Sequence, residues 1–163
     1  MATDPFSNLK SLIVPVDGSD AAFHALSVAC EMARRSKGNV HVVHVIEVPR
    51  TLPLDSDLAD EAQQGEAILD RAEQIGSSQK IRVQADLLQA RQAGHAVVDE
   101  AIERGVDAIV VGLDYHRPHG RFALGRLPTY VLEHSPTEVW LIRYPPPEGL
   151  ITTRPGNLPR KRA

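Results

Sequence analysis

Short segments dense in aliphatic residues alternate along the chain with longer segments whose apolar positions recur at helical spacing. Residues 11–16, 40–48 and 107–111 are rich in β-branched side chains, as strands buried on both faces of a parallel sheet are. Residues 80–88 alternate polar and apolar side chains, which predicts a less buried strand at the edge of the sheet. Residues 138–143 form a fifth, final strand in this interpretation.

Four amphipathic helices are predicted between these strands. The second spans residues 58–75, and Pro128 places the last helix just after Gly125, because proline is tolerated only in a first turn. Glycines mark the predicted helix boundaries: Gly38 after the first helix, Gly76 after the second, Gly105 after the third and Gly125 before the fourth.

Alternation of strands and helices predicts an α/β fold: one domain with an open, parallel, five-stranded sheet and helices on both faces, Rossmann-like. The domain covers residues 9–144, after an N-terminal extension at 1–8. Residues 145–163 are rich in proline and basic residues and are predicted to be disordered. Ligands of such sheets bind at the carboxyl ends of the strands, so Asp17 and Gly112 meet there if the first and fourth strands are neighbours.

Composition narrows the class of protein. A chain of 163 residues with 42% hydrophobic content suits a single core, and its net charge of -3 does not favour nucleic acid or an anionic membrane as partner. No apolar run approaches the roughly 20 residues of a membrane span. The single cysteine, Cys30, excludes an internal disulfide and indicates a reducing compartment, so we expect the protein in the cytoplasm.

The candidate chemistry lies between residues 110 and 127. A strand that runs into Gly112 and is followed by a helix starting at Gly125 can present backbone N–H groups to a phosphate. Arg117, Arg121 and Arg126 make this segment basic.

Metal and nucleophile chemistry find less support. His41 and His44 are three apart on a strand and face opposite sides of the sheet, whereas Asp114, His116 and His119 offer at most a weakly populated metal site. The chain has no G-x-S-x-G elbow and no GxxxxGK[ST] loop, which indicates binding more than catalysis.

Taken together, four segments resemble the universal stress protein family over residues 9–144. These are LIVPVDGSD at the first strand and turn, the pair His44 and Val45, GVDAIVVG, and FALGRLPTYVLEHSPTEVWLIR at the end of the domain. The resemblance implies the adenine nucleotide alpha hydrolase-like variant of the Rossmann-like fold. It also implies a homodimer through the final strand, by residues Val139, Trp140, Leu141 and Ile142, and an unknown protein partner.

Family members that bind ATP are marked by glycine, two residues, glycine, nine residues, glycine, then serine or threonine. Aligned without gaps, this chain has Gly112, Tyr115, Gly125 and Arg126 at the four positions. Tyrosine does not readily adopt a left-handed backbone, and arginine cannot cap a helix. A guanidinium can still bind phosphate as a fork, so we predict an anion site built from Arg121 and Arg126; an empty site is the alternative.

The residues that the resemblance implies for binding the nucleoside match the family better than those that it implies for binding the phosphates. It implies that adenine lies against Pro15, Asp17 and Val45 and ribose against Val111 and Gly112, and the adjoining Val16 and Leu127 complete the candidate set. ATP or AMP is the predicted ligand, with Mg²⁺ as a potential companion. The alternatives are that Asp17 caps the first helix with Ser19, that the glycines only make turns, and that the arginines are solvated.

Three functions follow from these residues. The first is a nucleotide-binding regulatory module in a stress response, and the second is a structural or interaction dimer that binds no nucleotide. The third is slow ATP hydrolysis, which we expect least because no catalytic group is identified.

Overall fold

The computed structural model describes residues 4–117 and 120–146, and in these ranges strands and helices alternate as predicted. In chain order they are β1 (Ser11–Pro15), α1 (Asp20–Ser36), β2 (Asn39–Glu47), α2 (Ala59–Ser78), β3 (Val83–Ala90), α3 (Ala93–Arg104), β4 (Ala108–Leu113), α4 (Arg126–His134) and β5 (Glu138–Arg143). The predicted α/β fold is confirmed. The predicted disorder of the tail lies almost wholly outside the described residues, as does His119.

All strand pairs are parallel, and the sheet has the order β3-β2-β1-β4-β5. β1 lies at the centre, with Pro15 opposite Val43 of β2 and Ile13 opposite Ile109 of β4. The condition for a shared crevice is therefore met, because β1 and β4 are neighbours and the winding reverses between them. β3 is an edge strand, as its alternating pattern predicts, and β5 forms the other edge.

Two apolar layers cover the faces of the sheet. α1 and α2 pack on one face, where the core residues include Val14, Leu26, Ala29, Leu69 and Val110. α3 and α4 pack on the other face, with Ile13, Val43, Val97, Ile109 and Val131. The central strands are buried on both sides, which is why their sequences are apolar at nearly every position. Among the described residues, no helix is long and apolar enough to cross a membrane.

Two glycines predicted to end helices have other roles. α1 ends at Ser36, and the residue that adopts the left-handed conformation is Lys37 (φ 57°), while a Cβ on Gly38 would overlap the carbonyl oxygen of Lys10. α2 continues past Gly76 to Ser78. Gly76 is a buried residue of the helix. Glycine is required there because a Cβ would overlap the side chain of Val83. Both glycines serve close packing, a requirement that a local pattern does not reveal.

Two predicted strands are displaced. β3 begins at Val83 instead of residue 80, because the chain first turns through Lys80, which has a φ of 58°. β4 does not stop before Gly112 but includes it and continues to Leu113, whose carbonyl accepts the N–H of Tyr144 at 2.6 Å. Gly105 does end α3 as predicted, with a left-handed φ of 60°.

Candidate functional site

A cleft of about 240 Å³ opens at the carboxyl ends of β1, β2 and β4 and is covered by the segment that leads into α4. Eight of the ten predicted site residues line it: Pro15, Val16, Asp17, Val45, Val111, Gly112, Gly125 and Leu127. Arg121 and Arg126 are not among the lining residues. The cleft is small, since pockets for drug-sized ligands usually measure about 300–1,000 Å³.

The turn after β1 is held by its own polar groups. The N–H of Val16 donates to the carbonyl of Val43 at 2.9 Å, and the Oδ1 atom of Asp17 accepts the N–H of Ser19 at 3.0 Å. Ser19 is the N-cap of α1, because its Oγ accepts the N–H of Ala22. Asp17 therefore shapes the turn without capping the helix itself. Its Oδ2 atom has no hydrogen-bond partner among the described residues.

β2 extends farther into the cleft than β1 does. β1 ends at Pro15, opposite Val43, and the next residue of β2 with the same backbone orientation is Val45. The N–H and C=O of Val45 consequently point to the side that β1 has vacated, while β2 remains paired with β3 on its other side through Glu47. One donor and one acceptor of the main chain are thus displayed side by side in an otherwise apolar cleft.

His44 supports this geometry from the other face of the sheet. Its Nδ1 lies 2.7 Å from the carbonyl oxygen of Val16, and only a protonated Nδ1 can donate to that carbonyl. The ring fits against α2 because residue 65 is glycine, where a Cβ would come within 2.9 Å of the imidazole Cδ2. His44 also lines the cleft, although it was not among the residues predicted to contact a nucleoside.

Gly112 and Gly125 are glycines for different reasons. A Cβ on Gly112 would overlap the carbonyl oxygen of Ala21, so the absent side chain lets the first turn of α1 approach β4. Gly125 has a φ of 88° and precedes α4 without a side-chain cap. Within the described chain, the N–H groups of Arg126 and Leu127 have no hydrogen-bond partner, as expected for a first turn.

The loop between Gly112 and Gly125 differs at Tyr115 from the loop that the family signature implies. Tyr115 does not adopt a positive φ; among the described residues other than glycine, Lys37 and Lys80 do. The Tyr115 ring stacks on Phe122 with centroids 5.7 Å apart and lies beneath the guanidinium of Arg143 at 5.2 Å. Arg117 donates to the carbonyl of Gly120 at 2.6 Å. A stacked aromatic pair is thus found at the position where the family signature has its second glycine.

The structure does not place the two predicted arginines in the cleft. Arg126 lines a separate depression beside it, together with Arg50 and Arg91, and Arg121 lines neither. Successive residues of a helix point about 100° apart, so Arg126, the first residue of α4, does not share the direction of Leu127, which lines the cleft. The anion site built from Arg121 and Arg126 stays a prediction, with neither arginine among the residues that line the cleft.

Further lining residues were not predicted from the sequence as nucleoside contacts. They are Ser19, Ala22, Val43, His44, Ala93, Leu113, Asp114, His116, Ala123, Leu124 and Pro128. Ala93 is the informative case, because it is the first residue of α3 and lies far in sequence from the other residues of the cleft. Among the described residues, no three His, Cys, Asp or Glu side chains are grouped as metal ligands.

Comparison with known proteins identifies the family to which this chain is similar. The profile described as the universal stress protein family matches residues 8–143. A universal stress protein of Methanocaldococcus jannaschii is 21% identical over 145 residues, which cover 85% of each chain.

Solved structures agree with this match. A universal stress protein from Archaeoglobus fulgidus is 26% identical, with a TM-score of 0.70 over 82% of this chain and 98% of that one. The structure of a universal stress protein from the same organism in complex with dAMP is 23% identical, with a TM-score of 0.66 over 82% and 97% of the two chains. The chain with this cleft belongs to the universal stress protein family.

Proposed function

We propose that this protein is a regulatory module that binds an adenine nucleotide in the cleft at the ends of β1, β2 and β4. The observation that carries the proposal is the free main-chain edge of Val45, which displays one N–H donor and one C=O acceptor. The Watson–Crick edge of adenine offers the matching acceptor at N1 and the matching donor at its 6-amino group. The Oδ2 atom of Asp17 is available for the second amino hydrogen.

The rest of the cleft suits a nucleoside with a short phosphate. Its walls are largely aliphatic, with Pro15, Val111 and Leu127 among the lining residues, as a purine and a ribose require. The open N–H groups at the start of α4 favour an anion nearby, since a helix N-terminus carries partial positive charge. The related structure that contains dAMP supports a ligand of this size. Mg²⁺ is expected only with the longer phosphates.

Titration calorimetry on protein stripped of ligand tests the proposal. AMP should bind, and inosine monophosphate should bind at least about 10-fold more weakly, because its 6-oxo group and N1–H reverse the donor and acceptor opposite Val45. Guanosine monophosphate has the same reversal and should behave alike. Equal affinity for AMP and inosine monophosphate would contradict the proposed adenine contact.

A blocked cleft provides the matching variant. Ala93→Phe places a ring at a lining position and should abolish AMP binding, whereas Ala59→Phe, at the exposed start of α2, should leave the affinity unchanged. Circular dichroism verifies that both variants are folded. Retained AMP binding in Ala93→Phe would place the nucleotide elsewhere.

The second candidate function is a dimeric interaction protein without a bound nucleotide. The packing of Gly112 against Ala21 favours it, because this glycine needs no ligand to explain it. Absence of binding by AMP, ADP and ATP in the same calorimetry would select this candidate. Phosphate release from ATP would be the observation that favours hydrolysis.

We propose a homodimer through β5 in either case. β5 is an edge strand whose residues Val139, Trp140, Leu141 and Ile142 are only half-buried in the monomer, and unpaired edges invite pairing with a second chain. Light scattering at micromolar concentration should give twice the 17.8 kDa mass of one chain. A monomer under these conditions would contradict this interface.

A further inference from the structure

The free edge of the sheet at β3 is long and lacks most of the features that protect such edges. β3 pairs with β2 over all eight of its residues and, among the described residues, has no partner strand on its other side. It contains no proline and no lysine, and its one charged residue, Asp86, is held by Arg104 at 2.6 Å. Edges of this kind offer their main-chain groups to a further strand.

The pairing with β2 identifies the main-chain groups that face outward. The carbonyl of Ala90 accepts the N–H of Val48, which follows β2, at 2.8 Å, so Ala90 faces β2. Successive residues of a strand face opposite ways, so Gln89, Leu87 and Ala85 direct their N–H and C=O groups to the free side. Within the described ranges these outward groups have no main-chain partner.

On the α3 face of the sheet, carboxylates border this edge. Asp99 and Glu103 line a groove of about 380 Å³ together with residues of β3. Both are exposed, and neither makes a salt bridge or a hydrogen bond with a residue of the described chain. Glu100, the third carboxylate of the groove, is bound by Arg104 at 2.8 Å. Two free carboxylates one helical turn apart therefore lie beside the open edge.

On the opposite face, α2 presents a second row of carboxylates. Glu66, Asp70 and Glu73 are all exposed. Arg71 marks the side of α2 that meets α1, because its guanidinium lies 4.2 Å from the ring centroid of Phe23. The glycines of α2 face the sheet, and the three carboxylates lie about 100–160° around the helix from Arg71, in the direction away from α1. Since α1 covers β1 and β4, that direction is toward the free edge of β3.

The two rows place five carboxylates around the middle of the edge, whereas the nearby cations lie at its ends. Lys80 and Arg82 precede β3, and Arg50 and Arg91 line the groove where β3 ends. Arg91 is committed to the fold, because its Nη1 donates to the carbonyl of Pro49 at 2.6 Å. A second copy of β3 would bring like charges together at this edge. The carboxylates therefore disfavour pairing between two such edges and favour a basic strand.

We propose that the occupant of this edge is the chain's own segment at residues 160–162, Arg-Lys-Arg, which lies outside the described ranges and adds to β3 as an extended strand. Side chains of a strand alternate between faces, so two of the three cations reach one row of carboxylates and the third reaches the other. Alternate strand residues are about 6.7 Å apart, close to the rise of about 6 Å between Asp99 and Glu103. The proposal is independent of the nucleotide cleft, which shares no lining residue with the groove.

The basic segment can reach this edge within one molecule. β5 ends at Arg143, and the N–H of Tyr144 still donates to the carbonyl of Leu113, at the carboxyl ends of the strands. Four strand spacings, about 19 Å, separate β5 from β3. Residues 145–159 span up to about 50 Å when extended. Attachment to the same chain also raises the local concentration of a weakly binding segment, to the order of millimolar for a short flexible linker.

Amide hydrogen exchange of the full chain, followed by NMR at low ionic strength, tests the proposal. The variant that removes the basic segment carries Arg160→Gln, Lys161→Gln and Arg162→Gln. At least one of the outward amides of Ala85, Leu87 and Gln89 should exchange about 10-fold faster in this variant, as expected for the loss of a few exposed ion pairs. The amide of Leu88 faces β2 and should not change. Equal exchange of all three outward amides in the two proteins would overturn the docked strand.

Removing the carboxylates provides the complementary test. Asp99→Asn with Glu103→Gln should speed the exchange of the same outward amides. The matched control is Asp60→Asn with Glu133→Gln, which changes the net charge equally at exposed positions away from this edge and should leave exchange unaltered. Equal effects in the two double variants would indicate long-range charge and overturn the docking.

Protein concentration distinguishes the chain's own segment from that of a second copy. Protection of the outward amides should be the same over a roughly tenfold range of concentration and should be lost near 1 M salt, where the Debye length is about 3 Å. Protection that increases with concentration would place the segment of a second copy at the edge and overturn the contact within one molecule. Protection that persists in high salt would contradict binding by charge.

Discussion

At the scale of single residues, Gly112 and Gly125 show that one sequence motif can combine two unrelated physical requirements. Gly112 lacks a side chain because the carbonyl of Ala21 occupies the space, and its backbone is ordinary strand. Gly125 has open space around it, with Pro128 Cδ 3.9 Å from an added Cβ, but its φ of 88° disfavours any side chain. The first is a packing constraint and the second a conformational one.

A packing constraint and a conformational constraint should differ in how much a substitution lowers the free energy of unfolding. Gly112→Ala should destabilise the protein by about 3 kcal/mol or more, because backbone of α1 must move. Gly105→Ala is the control: it also replaces glycine, but at a φ of 60° in open space, and should cost only about 1 kcal/mol. Urea unfolding measures both, and similar losses would show that α1 yields easily.

His41 illustrates a different residue-scale effect on the α3 face of the sheet. Arg104 lies 3.1 Å from His41 Nδ1 and also binds Asp86 and Glu100, at 2.6 and 2.8 Å. Burial, and then the charge of Arg104, hold the pKa of His41 below its ordinary value of 6.5, against the opposing carboxylates. The folded state thus favours the neutral imidazole.

Stability should consequently decrease as the pH falls below 6.5. The unfolded chain binds a proton at His41 first, so the free energy of unfolding drops until the folded His41 is protonated too. His41→Gln should weaken this dependence between pH 7 and 5, since glutamine does not titrate. Denaturant titrations across this range provide the measurement, and parallel curves for the two proteins would exclude a contribution from His41.

At the scale of elements, α2 packs closely on β2 and β3 because it presents two glycines to them. Gly65 faces Leu87 and His44, and Gly76 faces Val83. Glycine is less favourable in a helix than alanine by about 1 kcal/mol. Both positions therefore lower the stability of the isolated helix but let it approach the sheet more closely.

Gly76→Ala should therefore destabilise the protein by about 1–2 kcal/mol despite its better helix propensity, because Val83 is stiff and cannot turn away. Val83→Ala alone should also destabilise, through lost packing. The double variant should lose less than the sum of the two, since alanine at 83 makes room for the new methyl group. Additive losses in a thermal-unfolding cycle would contradict this contact.

At the scale of the whole molecule, the single thiol reports on global unfolding. Cys30 is fully buried on α1 among core residues, and burial raises the pKa of its thiol to about 11. Thiolate is the reactive form, so both access and ionisation protect this cysteine in the folded state.

A disulfide reagent such as dithionitrobenzoate should label Cys30 quickly in urea and only at the rate of global opening in buffer at pH 8. The labelling rate should rise in parallel with the loss of stability in Gly112→Ala. Rapid labelling of the unaltered protein in buffer would show that α1 detaches from the sheet locally.

Much of this organisation could be predicted because it follows from periodicity. Val14, Val42 and Val110 belong to central strands that are buried on both faces, so their segments are apolar enough to recognise. The family motif around Val45 likewise predicted residues that the fold brings to one cleft. The end of α2 and the start of β3 could not be predicted this way, because Gly76 is required by Val83, a contact across two elements.

The amino-acid sequence by itself determined the order of strands and helices and the family, because hydrophobic period and motif spacing are local properties of the chain. Only the tertiary structure decided that Arg126 borders one depression together with Arg50 and Arg91, because these arginines come from segments that lie far apart in the chain. Charges distant in sequence share a site only where packed elements bring them together. For that reason eight residues of the cleft could be named in advance, and the depression that Arg50 and Arg126 line could not.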